Sequence, residues 1–202
     1  MKGFPVFFAL MLGQCACASA DAYSPKEGDF VFQSLPKGDL VDAIEGVSHS
    51  QYSHVGLVIR KNNAWYVREA IGPVIDTPFE MWAGRGRNMN AFDVFRIRGA
   101  LHNVVPALIK ASELFLGRPY DFKFDMDDDA IYCSELLYKA MLNASGVRLG
   151  KLQRLGDLDW KPYQATIEKY EGGKPPLERQ MITPRSLSEA RELEKVFDGY
   201  HR

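Results

Sequence analysis

The sequence IYCSELL, at positions 131–137, decides the fold of this 202-residue chain. Apolar residues then recur at the spacing of one helical face, at Leu136, Leu137, Ala140 and Met141. Residues that typically end a helix follow at Asn143 and in the Ser145-Gly146 pair. The pattern therefore predicts a helix with Cys133 in its first turn. The first turn of a helix carries unpaired backbone N–H groups and the positive end of the helix dipole. This environment favours the thiolate form of Cys133, which is the nucleophilic form of a cysteine.

An acidic run lies directly upstream of this helix, at Asp125, Asp127, Asp128 and Asp129. Negative charges near a thiol disfavour the thiolate unless they are solvated and point away from it. The run resembles a calcium-binding loop, but it lacks the central glycine and the distal bidentate glutamate of such loops. We therefore expect no metal site and no cofactor.

The first twenty residues have the pattern of a secretory signal peptide. Lys2 supplies a positive start, residues 4–12 form an apolar run, and Ala18-Ser19-Ala20 has the small residues of a cleavage site. The apolar run is too short to cross a bilayer as a helix, and no later stretch predicts a membrane span. We expect residues 21–202 to form one domain, exported across the inner membrane to the periplasm.

Removal of the signal peptide changes the cysteine count. Cys15 and Cys17 leave with it, and Cys133 remains alone. An unpaired thiol is prone to oxidation in an oxidising compartment, so its presence there calls for an explanation. Either the thiol takes part in a reaction, or it is a buried core residue. The count leaves both reasons open.

The charge balance restricts the class of partner. Once Lys2 is removed, 24 basic side chains stand against 26 acidic ones. A near-neutral balance argues against nucleic acid as a partner. The oligomeric state stays open.

The chain changes from strand-like to helix-like runs along its length. Strands are predicted at 30–32, 54–60, 64–70, 74–76 and 92–97. Helical segments are predicted at 39–44, from Thr77 onward, at 103–117, at 160–170 and at 186–197. Residues 85–87 read as an exposed basic loop, and Ser186 with Glu189 forms a capping box for the last helix. The pattern predicts an α+β fold, an antiparallel sheet or half-barrel packed against helices.

A cysteine nucleophile needs a base, and the base needs an orienting group. His54 opens a buried strand and is held by a rigid element, whereas His49 lies in the polar loop before it. If the strands at 54–60 and 64–70 form a hairpin, His54 and Glu69 lie near the same end. The alternatives are a structural histidine and an exposed edge glutamate paired with Arg68 or Arg60.

Four motifs, taken in order, resemble the YiiX/YebB-like family. They are Ser53-His54-Val55-Gly56-Leu57-Val58, Glu69-Ala70 with Gly72-Pro73-Val74, Gly117-Arg118-Pro119-Tyr120-Asp121, and Tyr132-Cys133-Ser134-Glu135-Leu136. The resemblance covers most of residues 25–190. This family is a permuted branch of the NlpC-type, papain-like cysteine hydrolases, in which the histidine strand precedes the cysteine helix.

The resemblance implies a permuted papain-like fold and a catalytic triad. Cys133 would be the nucleophile, His54 the base and Glu69 the third member. Tyr120 would be the second oxyanion donor beside the Cys133 backbone N–H, with a packed core tyrosine as the alternative. The implied activity is hydrolysis of an amide bond.

The substrate stays open at this point. Kinship with NlpC-type enzymes implies a small peptide or amino-acid amide, such as a cell-wall peptide. Permuted relatives of the lecithin–retinol acyltransferase type imply an acyl substrate, cleaved or transferred by the thiol. A noncatalytic binding protein that keeps the pocket is the third alternative.

Overall fold

The structure is a computed structural model in which residues 23–201 are described. The predicted signal peptide at 1–20 lies outside the described residues. The strands are β1 Phe30–Gln33, β2 His54–Lys61, β3 Ala64–Ala70, β4 Val74–Pro78, β5 Asp93–Ile97, β6 Gln153–Arg154, β7 Gln180–Met181 and β8 Leu193–Asp198. The α-helices are α1 Asp39–Val47, α2 Phe79–Arg85, α3 Val105–Glu113, α4 Cys133–Ser145, α5 Gln164–Glu171 and α6 Pro184–Ser188.

Six strands form an antiparallel sheet in the order β4-β3-β2-β1-β5-β8. The β2–β3 hairpin turns at Asn62 and Asn63, whose φ angles of 48° and 64° suit both central positions of a type I′ turn. The hairpin pairs Leu57 with Arg68, so His54 and Glu69 lie near the same end, as predicted. The short strands β6 and β7 form a separate pair.

The sheet separates two apolar clusters because successive strand residues point to opposite faces. On one face, Phe32 and Leu57 pack with Leu136 of α4 and with residues of α3. On the other face, Val58 packs with Trp82 of α2. The α+β prediction is confirmed. The sheet lies between α4 on one face and α2 on the other.

Gly56 keeps β2 and β3 in close contact beside His54. A Cβ atom at Gly56 would lie 2.3 Å from Cγ1 of Val67 on the neighbouring strand. A side chain at this position would displace the Val67 side chain and would crowd the Arg68 carbonyl oxygen, which would lie 3.1 Å from the added Cβ atom.

The helix predicted from Asn103 starts later than expected. A 3₁₀ helix over Gly99–Val104 comes first, and α3 follows with Pro106 in its first turn. Proline is tolerated there because the first N–H groups of a helix have no partner within the helix. The segment predicted at 160–170 likewise begins as a 3₁₀ turn before α5.

The prediction of a last helix over residues 186–197 is wrong in its extent. Thr183 caps α6, accepting a hydrogen bond of 3.1 Å from the Ser186 backbone N–H, and the helix ends at Ser188. The chain then extends as β8 and pairs with β5 at the sheet edge. Because the apolar residues Leu193 and Phe197 occur in a short segment, their spacing fits a strand as well as a helix. The backbone hydrogen bonds offered by β5 decide for the strand.

Candidate active site

Cys133 is the first residue of α4, and its side chain is buried at the sheet. Tyr132 precedes it in an extended conformation, so the helix begins at the cysteine. Sγ of Cys133 lies 3.9 Å from the carbonyl oxygen of Ser53. Because Ser53 directly precedes His54, this contact places the start of α4 against the start of β2.

His54 lies between a carboxylate and the thiol. Its Nε2 is 2.5 Å from Oε2 of Glu69, and both side chains are buried. The Cys133 thiol lies close enough to the imidazole to raise the pKa of His54. Since Nε2 faces the carboxylate, Nδ1 is the ring nitrogen that faces the thiol. The structure therefore aligns Glu69, His54 and Cys133 in one chain of contacts.

Glu69 is held by two further side chains. The Thr77 hydroxyl donates to Oε1 at 2.5 Å, and Nη2 of Arg85 donates to Oε2 at 2.5 Å. The alternative of an exposed edge glutamate is wrong, since Glu69 is buried. Arg68, its alternative partner, binds Asp76 instead, at 2.7 Å.

The interpretation of residues 85–87 as an exposed basic loop is also wrong. Arg85 is the last residue of α2, three residues after buried Trp82 and on the same face of the helix, so it points inward to Glu69. Arg87 points back to the first part of the chain, where it binds Glu45 at 3.0 Å and the Leu35 carbonyl at 3.2 Å.

The contacts of His54 and Glu69 set their charges. Burial alone lowers the pKa of His54, but the hydrogen bonds to Cys133 and Glu69 raise the pKa to about 9. Burial alone raises the pKa of Glu69, but His54 and Arg85 lower the pKa to about 2. At neutral pH the site therefore favours an imidazolium beside a carboxylate.

Tyr120 reaches the thiol from the loop before α4. This loop is anchored to β4 by hydrogen bonds between Gly117 N–H and Val74 O and between Val74 N–H and Arg118 O, each 2.9 Å long. The half-buried Tyr120 lies near Cys133, which influences its pKa. Burial and the neighbouring Cys133 raise the pKa of Tyr120 well above its usual value. The hydroxyl therefore keeps its proton at neutral pH and can donate a hydrogen bond.

His49 lies on the surface, away from this cluster. Its side chain is 68% exposed and its Nε2 is 3.5 Å from Oδ2 of Asp159. A solvated side chain in a loop is poorly suited to hold a proton at one fixed atom.

Two aspartates of the acidic run before α4, Asp125 and Asp128, face cations. Nζ of Lys139 lies 2.8 Å from Asp128 and 2.9 Å from the Met126 carbonyl, and Asp125 lies 3.6 Å from Arg179. These contacts direct part of the negative charge toward cations and away from the thiol. Within residues 23–201, no group of three or more His, Cys, Asp or Glu side chains could hold a metal ion.

An apolar cavity of about 80 Å³ borders Cys133. Its walls come from α1, α5 and the segment around β7, and they include Leu40, Ile167, Met181 and Ile182. The sequence did not indicate this cavity, because its walls lie on elements that are distant in the chain. Among the described residues, no helix has both the length and the apolar composition needed to cross a membrane.

The fold and the order of these elements define the class of protein. A histidine strand early in the chain and a later helix that begins at a cysteine give a papain-like fold in permuted order. The model of the family of permuted papain-like amidase enzymes, YaeF/YiiX, C92, matches residues 24–197, so the chain belongs to this family.

Two relatives from one species support this placement. The uncharacterized protein YiiX of Escherichia coli strain K12 is 34% identical over 190 residues, which cover 93% of each chain. The crystal structure titled metalloprotein yiiX, from Escherichia coli O157:H7, is 35% identical and superposes with a TM-score of 0.81. That match covers 87% of this chain and 98% of the solved chain.

Proposed function

We propose that this protein is a thiol amidase that hydrolyses an amide bond through Cys133, His54 and Glu69. The observation that carries the proposal is the position of the His54 ring, 2.5 Å from the Glu69 carboxylate, with the Cys133 thiol 3.9 Å from the carbonyl oxygen of the adjacent Ser53. A nucleophile, a base and an orienting acid in this order are the parts of a cysteine hydrolase.

The first step is formation of the nucleophile. His54 accepts the Cys133 proton on Nδ1 and becomes an imidazolium, and the thiolate remains at the start of α4. Glu69 stabilises the imidazolium and fixes the ring by accepting the Nε2 hydrogen bond. Arg85 and Thr77 hold the carboxylate in its anionic form and in one orientation.

The second step is attack on the substrate carbonyl. A bond forms between Sγ and the carbonyl carbon, and the carbonyl electrons move to its oxygen. The backbone N–H of Cys133 at the helix start and the Tyr120 hydroxyl are the donors we assign to this oxyanion. Donors fixed before the reaction stabilise the developing charge without reorganisation.

The third step releases the two products in turn. The C–N bond breaks, His54 gives its proton to the leaving amine, and an acyl thioester remains on Cys133. Water then attacks the thioester with His54 as the base. The carboxylic acid leaves, and the thiol is restored.

A metal has no assigned part in this mechanism. One relative is titled a metalloprotein. In the described part of this chain, the potential ligands at the site already have partners: Glu69 binds His54, Thr77 and Arg85, and the Cys133 thiol contacts the Ser53 carbonyl oxygen. This donor set does not fit a metal ion, so no step is routed through one.

Turnover of an aryl amide by wild-type protein and by Cys133→Ala tests the proposal. We expect release of the aryl amine by wild type and loss of that release in the variant, with labelling of wild type by a thiol-directed activity probe. Labelling only after unfolding, without turnover, would support the noncatalytic binding protein instead.

We also propose that residues 1–20 direct export to the periplasm, from their charge, apolar run and small-residue cleavage motif. Intact-mass measurement of the exported protein should give Asp21 as its first residue. A lipid-modified Cys15 or Cys17 would contradict this cleavage and indicate membrane anchoring.

A further inference from the structure

We propose that Gln33 is a positioning residue of the proposed thiol site, and that its buried carboxamide stabilises the protonated imidazole of His54 from the side opposite Glu69. The inference rests on the proposed thiol chemistry and adds a residue to it. Gln33 ends β1, where it pairs directly with His54 at the start of β2. Residues that face each other across two antiparallel strands have Cβ atoms about 4.5–5.5 Å apart, so the two side chains are neighbours.

Gln33, His54 and Glu69 lie on the same face of the sheet. The face that packs against α2 carries one valine from each of β1, β2 and β3: Val31, Val58 and Val67. Because side chains alternate between the two faces, a residue an even number of positions from the valine on its own strand shares that face. This holds for Gln33, His54 and Glu69. Since β2 lies between β1 and β3, Gln33 and Glu69 flank His54.

The carboxamide of Gln33 is buried without a hydrogen bond. Gln33 is 0% exposed, and within residues 23–201 neither its Oε1 nor its Nε2 has a partner. A buried amide without a partner destabilises a fold, whereas a methionine of similar length would not. Packing alone therefore does not account for a glutamine at this position.

The end of α2 brings a cation close to this amide. Gly86 follows Arg85 and packs so closely on Gln33 that a Cβ atom at position 86 would lie 2.8 Å from Oε1. Nη2 of Arg85 binds Glu69, while its Nε is buried and has no partner among the described residues. The positive charges of Arg85 and of protonated His54 favour an amide whose oxygen, its negative end, faces them. Little water screens this attraction in a buried site.

The titratable and charged groups that face His54 come from elements other than β1. Glu69 approaches from β3 and Arg85 from the end of α2, and Cys133 lies at the start of α4. Tyr120 comes from the loop before α4 and lies near Cys133. Because Glu69 and Cys133 occupy the two ring nitrogens, Gln33 acts on the charge of the ring and does not take one of its protons.

Two substitutions of Gln33 with opposite electrostatic effects test this role. Gln33→Glu adds a negative charge beside the imidazolium, and Gln33→Met keeps the length of the side chain but removes its dipole. We expect the measured pKa of His54 to rise by about one unit in Gln33→Glu and to fall by about half a unit in Gln33→Met. Gln33→Met should be at least as heat-stable as wild type, because it buries no unpartnered amide. The same two substitutions at exposed Gln180 should leave the pKa of His54 unchanged.

A substitution on the α2 side tests the position of the amide oxygen without changing Gln33. Gly86→Ala places a methyl group against Oε1, and the backbone angles there, φ −57° and ψ 153°, suit alanine. The amide must then turn away, so the pKa of His54 should fall in the same direction as in Gln33→Met. Gly84→Ala is the matched control, because a Cβ atom at position 84 meets no atom within 4 Å.

The pKa of His54 is read by NMR from the ring resonances of isotope-labelled protein in the Cys133→Ala background, where no thiol titrates together with the imidazole. In the active protein, the decline of kcat/KM at high pH should move in the same direction as this pKa. A pKa that stays unchanged in both Gln33 variants, or moves the same way in both, would overturn the inference.

The NMR measurement needs no turnover, so it separates this inference from the proposed function. Hydrolysis of an aryl amide by wild type, with no movement of the His54 pKa in either Gln33 variant, would leave the amidase function standing and remove Gln33 from the site. Opposite movements of that pKa in a protein that hydrolyses no amide would contradict the amidase function and support the action of Gln33 on His54.

Discussion

The Nε2 atom of His54, at the start of β2, lies 2.5 Å from Oε2 of Glu69, near the end of β3, and both side chains are buried. Together with Cys133, this pair favours the protonated imidazole. The carboxylate contributes to raising the pKa of His54 to about 9, and His54 in turn contributes to lowering the pKa of Glu69 to about 2. The charge state of each residue thus depends on the other.

Replacement of Glu69 tests the third member of the proposed triad. Glu69→Gln keeps the shape of the side chain but removes the charge that stabilises the imidazolium, and Glu69→Ala removes the orientation as well. We expect kcat/KM to fall roughly 10²- to 10⁴-fold in both variants, less than for Cys133→Ala, and the pH at which iodoacetamide alkylates the thiol to rise.

We expect thermal stability to change only modestly in these variants, because His54 can become neutral and Arg85 is 30% exposed. Full activity with an unchanged alkylation profile would show that Glu69 has a structural role only.

Replacement of Arg85 tests the residue that holds Glu69 ionised. Arg85→Met removes a cation that lowers the pKa of Glu69, so that pKa should rise from about 2 toward its ordinary range. As pH falls through this raised pKa, protonated Glu69 no longer stabilises the imidazolium. The acid limb of the kcat/KM profile should therefore move to higher pH, with partial recovery in Arg85→Lys. A simple drop in activity at every pH, with the acid limb unmoved, would mean that Arg85 contributes packing alone.

The choice of base is tested by comparing two histidines. The pKa of His54 is about 9, so kcat/KM of wild type should decline as pH rises through about 9, where the proton for the leaving group is lost. His54→Ala should abolish acylation and slow thiol alkylation near neutral pH. His49→Ala is the matched control, because His49 is solvated and faces Asp159. Loss of activity in His49→Ala alone would move the base into the loop.

Replacement of the Tyr120 hydroxyl tests the proposed oxyanion donor. Tyr120→Phe keeps the ring and removes the donor, and loss of one such donor costs roughly 10²- to 10³-fold in kcat. Alkylation by iodoacetamide passes through no oxyanion, so its rate should change far less. Equal effects on both rates would indicate that Tyr120 only packs against the thiol.

Local sequence pattern was sufficient for the elements that carry the proposed nucleophile and base. The cysteine helix and the strands at 54–60 and 64–70 each have a strong local signal, and the hairpin between these strands brings His54 and Glu69 to one end. The resemblance to the YiiX/YebB-like family then implied the roles of Cys133, His54 and Glu69.

What the sequence did not predict depends on contacts between distant elements. Arg85 points inward because it lies on the same face of α2 as buried Trp82. Thr77 contacts Glu69 because of the register in which β3 and β4 pair. β8 was mistaken for a helix because β5, nearly a hundred residues earlier in the chain, supplies its hydrogen bonds. The apolar cavity likewise forms only when α1 and α5 meet.

The most direct test of the central claim is intact-mass analysis after rapid mixing with the p-nitrophenyl ester of octanoic acid. Acylation by an activated ester is fast, so the thioester should accumulate before water releases it. We predict an added mass of one octanoyl group on wild type, mapped to Cys133 and absent from both Cys133→Ala and His54→Ala. Turnover of the ester by Cys133→Ala at the wild-type rate, or an adduct mapped to another residue, would contradict the account.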